Sequence, residues 1–116
     1  MHEARAQARY VGVSAQKARL VVDLVRGRPA DEALSMLKFM PKTAAKSVAK
    51  VLRTAIANAE ENFGLNRDDL VITQAFADEG PTRKYRRFAA RGRFKPILRR
   101  SSHITIVVAE REGAAS

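Results

Sequence analysis

An α+β fold is predicted from three observations. The chain opens on a period-two segment, continues through three amphipathic helical stretches, and closes with two runs rich in branched residues. Helices and strands are thus segregated along the chain instead of alternating. At 116 residues it reads as a single domain, 1–116, with an extended arm at 80–103.

Ala4, Ala6, Ala8 and Tyr10 alternate with Arg5, Gln7 and Arg9, which predicts a strand with one buried face of small residues. Gly12 breaks it. Ser14 suits a helix N-cap and Gly27 a stop. Between them Ala18, Val21, Val22 and Val25 form a stripe that Leu20 and Leu24 are expected to widen. Arg28-Pro29 opens a second helix whose Asp31 and Glu32 meet the positive end of the helix dipole. Leu34, Leu37 and Met40 are expected inside, and Pro41 ends the helix. The third helix is predicted over Lys42–Phe63. Its core stripe is Ala44, Ala45, Val48, Val51, Leu52, Ala55, Ile56, Ala59 and Phe63, and Gly64 closes it. Asp68-Asp69 reads as a turn before a strand at Leu70–Ala77, and the last strand is Ile104–Ala109. The terminal GAAS reads as a frayed end.

Charge is concentrated. Arg83, Lys84, Arg86, Arg87, Arg91, Arg93, Lys95, Arg99 and Arg100 lie between Pro81 and His103 with no Asp or Glu among them. The chain holds 22 basic and 12 acidic residues, so removing these nine leaves 13 against 12. A field this local attracts a polyanion, and nucleic acid is the usual one. Seven of the nine are arginine, which binds phosphate bidentately and stacks on bases. Tyr85, Phe88 and Phe94 are interleaved with them, and aromatic rings stack on exposed bases. A tip near Ala90–Gly92 gives two legs of about ten residues, each reaching roughly 30 Å. Pro96 lacks an N–H donor and is expected to interrupt pairing in the returning leg. An isolated hairpin is marginal in water, so this one is expected to draw its order from the polyanion.

A weaker basic surface joins Arg5, Arg9, Lys17 and Arg19 to the stripe Lys42, Lys46, Lys50 and Arg53. A solvated helix face is the plainer reading of the stripe alone.

Other classes find little support. There is no Cys, so thiolate chemistry, thiolate metal sites and disulfides are excluded. No apolar run approaches a membrane span, and MHEARAQARY has no apolar signal region, so a soluble intracellular chain is expected. His2 and His103 are far apart, and His103 reads as a hydrogen-bonding structural residue. There is no Walker loop and no G-x-G-x-x-G. No catalytic residue, metal site or cofactor is expected.

The run GPTRKYRRFAARGRFKPILRRSSHITIVVAE resembles the long hairpin of the twenty-second large-subunit ribosomal protein family. ARYVGVSAQKARLVVDLVRGR is similar to that family's opening strand and first helix, and VAKVLRTAIANAEEN to its long third helix. The resemblance implies a three-stranded antiparallel sheet packed on three helices, with a long protruding basic β-hairpin. It implies a cytoplasmic, non-enzymatic constituent of the large ribosomal subunit, monomeric there and without a membrane role. The implied partners are 23S rRNA, neighbouring large-subunit proteins and the nascent polypeptide in transit. The expected rRNA contacts are Arg5, Arg9, Lys17, Arg19, Lys42, Lys46, Lys50, Arg83, Lys84, Tyr85, Arg86, Arg87, Phe88, Arg91, Arg93, Phe94, Lys95, Arg99, Arg100 and His103. Arg87, Phe88, Ala89, Ala90, Arg91, Gly92 and Arg93 are the expected tip in the peptide exit tunnel. The rival reading is a free-standing RNA-binding or RNA-chaperone protein, with an enzyme acting on nucleic acid a distant third.

Overall fold

The computed structural model describes residues 3–80, 83–88, 94–99 and 101–111. Strand β1 (Glu3–Val11) is followed by helices α1 (Ala15–Val25), α2 (Ala30–Phe39) and α3 (Thr43–Phe63). A 3-10 turn, Arg67–Asp69, leads to β2 (Leu70–Glu79), β3 (Arg83–Phe88), β4 (Phe94–Arg99) and β5 (Ser102–Glu110). The expected α+β class is borne out. β1, β5 and β2 form an antiparallel sheet in that order, and the helices cover one face of it.

Ala4 and Ala6 are buried and Ala8 half-buried, while Glu3, Arg5, Gln7 and Arg9 are exposed. The small buried side chains let α3 approach closely, and Asn58 Nδ2 donates to the Arg5 carbonyl at 3.1 Å. The central strand β5 sends Ile104, Ile106 and Val108 into the core. β2 contributes Leu70 and Ile72, then Ala75 and Ala77. The inward side changes parity because the β2–β5 register shifts between Ile72 and Gln74.

Ser14 caps α1, accepting from the Lys17 N–H at 3.4 Å. Gly27, with φ 81°, makes the left-handed turn that follows. Leu20 and Leu24 correct the sequence reading, since they are 57% and 46% exposed. At 100° per residue Leu20 lies about 200° round the helix from Ala18. Both leucines therefore sit behind the stripe and do not widen it. In α2, Leu37 is buried and Leu34 and Met40 are half-buried. Met40 is extended, as a residue preceding proline prefers. α3 buries the predicted stripe except for its last member, Phe63, which is exposed. Gly64 ends it with φ 64°, its N–H on the Glu60 carbonyl and the Leu65 N–H on that of Ala59.

The free edge of β2 is closed by the α1–α2 connection. Gly27 N–H donates to the Ile72 carbonyl at 2.9 Å, and Ile72 N–H donates to that of Arg28 at 3.0 Å. Further along the same edge, Arg26 Nε donates to the Ala75 carbonyl at 3.1 Å and Arg19 Nε to the Ala77 carbonyl at 3.0 Å. Backbone groups that would otherwise template another strand are thereby occupied.

The arm continues the central ladder. Glu79 faces Ser102, and Gly80 N–H donates to the Ser101 carbonyl at 2.9 Å. β3 and β4 then pair with each other alone, from Arg83↔Arg99 to Phe88↔Phe94. Three residues separate the two ladders on one side and two on the other, so the neck carries a one-residue offset. A side chain at Gly80 would put its Cβ 2.5 Å from Ser101 Oγ, so that hydroxyl would have to move to admit one. The register also overturns the expectation for Pro96, which faces Arg86 without a shift. A two-stranded ribbon has two open edges, and a proline whose nitrogen faces one takes no bond from the ladder. The radius of gyration is 17.4 Å and the extents are 71 × 25 × 17 Å. A compact chain of this length would have a radius of about 13 Å.

Candidate nucleic-acid interface

Helix α3 sets the electrical axis of the body. Its N-terminal residues Lys42, Thr43 and Ala44 share a cleft with Glu79, Gly80 and Ser101 of the neck. Its C-terminal turn ends beside the acidic end of the sheet. There Arg67 Nε lies 3.6 Å from Glu60 and 3.9 Å from Asp31, and Arg111 lies 3.9 Å from Asp69. Partial burial raises the Asp31 carboxyl above the usual aspartate range, helped by the hydrogen bond and negative charge of Asp68 and opposed by Arg67. Asp31, Glu60, Asp68 and Asp69 thus gather at the end remote from the arm, while Asp78 and Glu79 stand at its base.

At the arm end the cleft has a volume of about 1040 Å³, and Lys17 and Lys42 line it. Neither α1 nor α3 has an acidic residue in its first turn, and no side chain caps α3. Their N-terminal N–H groups add positive potential to that of the lysines. Beyond the cleft, Lys46, Lys50 and Arg53 border a shallow groove on α3 with Thr54 and Ala57.

The structure redistributes the second basic surface. Lys17 and Lys42 come together across the cleft. Arg5 and Arg9 lie instead on the sheet face opposite the helices, where Arg9 Nε donates to Gln7 Oε1 at 3.4 Å and Gln7 Nε2 to Thr105 Oγ1 at 3.2 Å. Arg19 lies at the β2 edge with one donor engaged. His103 is half-buried in β5, opposite Asp78 in β2. Arg83, Lys84, Tyr85, Arg86, Arg87 and Phe88 occupy β3, and Phe94, Lys95 and Arg99 occupy β4. The remaining tip positions Ala89, Ala90, Arg91, Gly92 and Arg93 lie outside the described residues, as do Arg100, His2 and the terminal GAAS. Among the described residues there is no cluster of His, Asp and Glu able to hold a metal ion. No helix among them is long and apolar enough to cross a membrane.

Two features escaped the sequence reading. Arg26 acts on the β2 edge, although it reads as an ordinary polar residue ending α1. Phe39 is 81% exposed although it ends an amphipathic helix. Its signal in the sequence is its position between Lys38 and Lys42.

A small α+β body with Lys17 and Lys42 beside the neck, continued by a two-stranded arm that mixes cations with aromatics, has the layout expected of a protein that faces a polyanion. The sequence model of the family described as "Ribosomal protein L22p/L17e" matches residues 6–109. Two relatives described as "Large ribosomal subunit protein uL22" come from Thermoanaerobacter sp. (strain X514) and Thermoanaerobacter pseudethanolicus (strain ATCC 33223 / 39E). Each is 57% identical over 110 residues, covering 95% of this chain and 99% of the relative. The chain belongs to the ribosomal protein L22p/L17e family, as its hairpin and helix motifs led us to expect.

Proposed function

We propose that this chain is a structural constituent of the large ribosomal subunit that binds 23S rRNA through its body and its arm. It works in the cytoplasm, in translation, and the family's members are structural proteins and not enzymes. The observation that carries the reading is the arm. The segment from Arg83 to Arg100 holds nine cations and no carboxylate, and six of them lie on a ladder that continues the central sheet pair outward. Such a ribbon is costly in water and favourable among phosphates. Its arginines neutralise phosphate, and Tyr85, Phe88 and Phe94 pack on bases. The rRNA supplies the neutralisation that the isolated hairpin lacks. Lys17 and Lys42 in the cleft, and Lys46 and Lys50 along α3, anchor the arm's base. The whole of 1–116 acts as one domain, monomeric within the ribosome and beside other large-subunit proteins. Residues 80–103 form the arm, and Arg87–Arg93 form part of the wall of the nascent-peptide exit tunnel.

Tunnel placement has a direct test. With a photoreactive benzophenone residue at Ala90, irradiated ribosomes carrying a stalled, labelled nascent chain are expected to yield a crosslink between that chain and this protein. Crosslinks to rRNA with none to nascent chains of any length would remove the tip from the tunnel.

A further inference from the structure

Phe39 is the most exposed large apolar side chain among the described residues, at 81% against 57% for Leu20. It is held there by its neighbours. Leu37 is buried and Met40 packs against the core, so the backbone is anchored on both sides of the ring. The Met40 N–H closes on the Leu37 carbonyl at 3.3 Å, and Pro41 stiffens the connection to α3. The ring is therefore presented on a fixed corner.

Its surroundings choose the occupant. From Lys38 to Ala59 the chain carries Lys38, Lys42, Lys46, Lys50 and Arg53 and no carboxylate. All five cations are exposed. Lys42, Lys46 and Lys50 follow at intervals of about 6 Å along α3. A protein partner would favour an anchor ringed by surface that sheds water readily. Here it would have to desolvate Lys38 and Lys42 as well, and would need carboxylates placed on both sides of an apolar pocket to compensate them. A nucleotide meets both demands, because its base has a π-face for the ring and its backbone has anions for the lysines.

We propose that Phe39 is a base-stacking anchor. An unpaired nucleotide lies on its ring, while Lys38 and Lys42 hold the flanking phosphates at the head of the basic track on α3. The proposal rests on the rRNA reading above and names the ligand of that surface, a single-stranded or extruded nucleotide and not a duplex.

The chain has no tryptophan, so Phe39→Trp introduces a sole indole at the site. The full-length Phe39→Trp protein is titrated with a 23S rRNA transcript and, separately, with heparin, a polyanion without bases. The indole is expected to be quenched by the transcript and not by heparin. Phe39→Leu keeps an apolar side chain without a π-face. It is expected to weaken transcript binding about tenfold. The slope of log K against log salt should not change, since no phosphate contact is lost. The melting temperature should also hold, the ring being exposed. Equal quenching by heparin, or wild-type affinity in Phe39→Leu, overturns the stacking role. Normal transcript binding by Phe39→Leu with impaired entry into subunits also overturns it, and assigns Phe39 to a neighbouring protein. A wild-type chain with no affinity for the transcript overturns the rRNA reading itself, and the anchor with it.

Discussion

Replacing Arg83–Arg100 by a short glycine linker is expected to flatten the salt dependence of 23S rRNA binding. The segment carries nine of the 22 Lys and Arg residues of the chain. Each lost phosphate contact lowers the log–log slope by about 0.7–0.9, so even four lost contacts lower it by about three. Binding measured across a salt series on the full-length and shortened proteins gives the two slopes. The body should still bind, because Lys17, Lys42, Lys46, Lys50 and Arg53 remain exposed on it. Equal slopes would mean that the arm's cations lie away from RNA phosphate, and the charge argument would fail.

The second large effect concerns the scaffold. Leu52 has no exposed surface, and its helix packs on α1, α2 and the sheet. Leu52→Ala leaves a cavity in the layer where α3 packs on β1 and β5. It is expected to cost about 2–5 kcal/mol, which lowers the melting temperature by on the order of 10–25 °C. Below the new midpoint the salt slope of RNA binding should match that of the unaltered protein, because no cation has been touched. A midpoint within a degree or two of the original would mean that α3 does not close the core. A changed slope in the folded variant would tie the interface to core packing more closely than the structure allows.

Elements that obey a local rule were readable from the sequence, and features made by two elements together were not. β1 followed from Ala4, Ala6 and Ala8 at every second position, and the end of α3 followed from Gly64, whose left-handed φ glycine alone adopts freely. The arm followed from charge and flanking strand patterns. Leu20 and Leu24 neighbour the α1 stripe in sequence but not in angle round the helix. Pro96 reads as a break in the sequence because its effect depends on which edge its nitrogen faces, and sequence does not give that. Arg19 and Arg26 are ordinary polar helix positions until β2 lies beside α1. The cleft joining Lys17 and Lys42 likewise exists only once α1, α3 and the neck converge. Arg5 is close to Lys17 in sequence yet lies on the other side of the sheet. A basic surface read from sequence order alone therefore merges cations that face different directions.

The most direct test of the central claim is sedimentation of a tagged copy from cell lysate, with a high-salt wash before the gradient. Many simultaneous phosphate contacts, with an arm threaded into folded RNA, should hold the protein on the large subunit through the wash at about one copy per particle. Release into the soluble fraction at high salt would contradict that account. It would mark the chain as a loosely bound, free-standing RNA-binding protein.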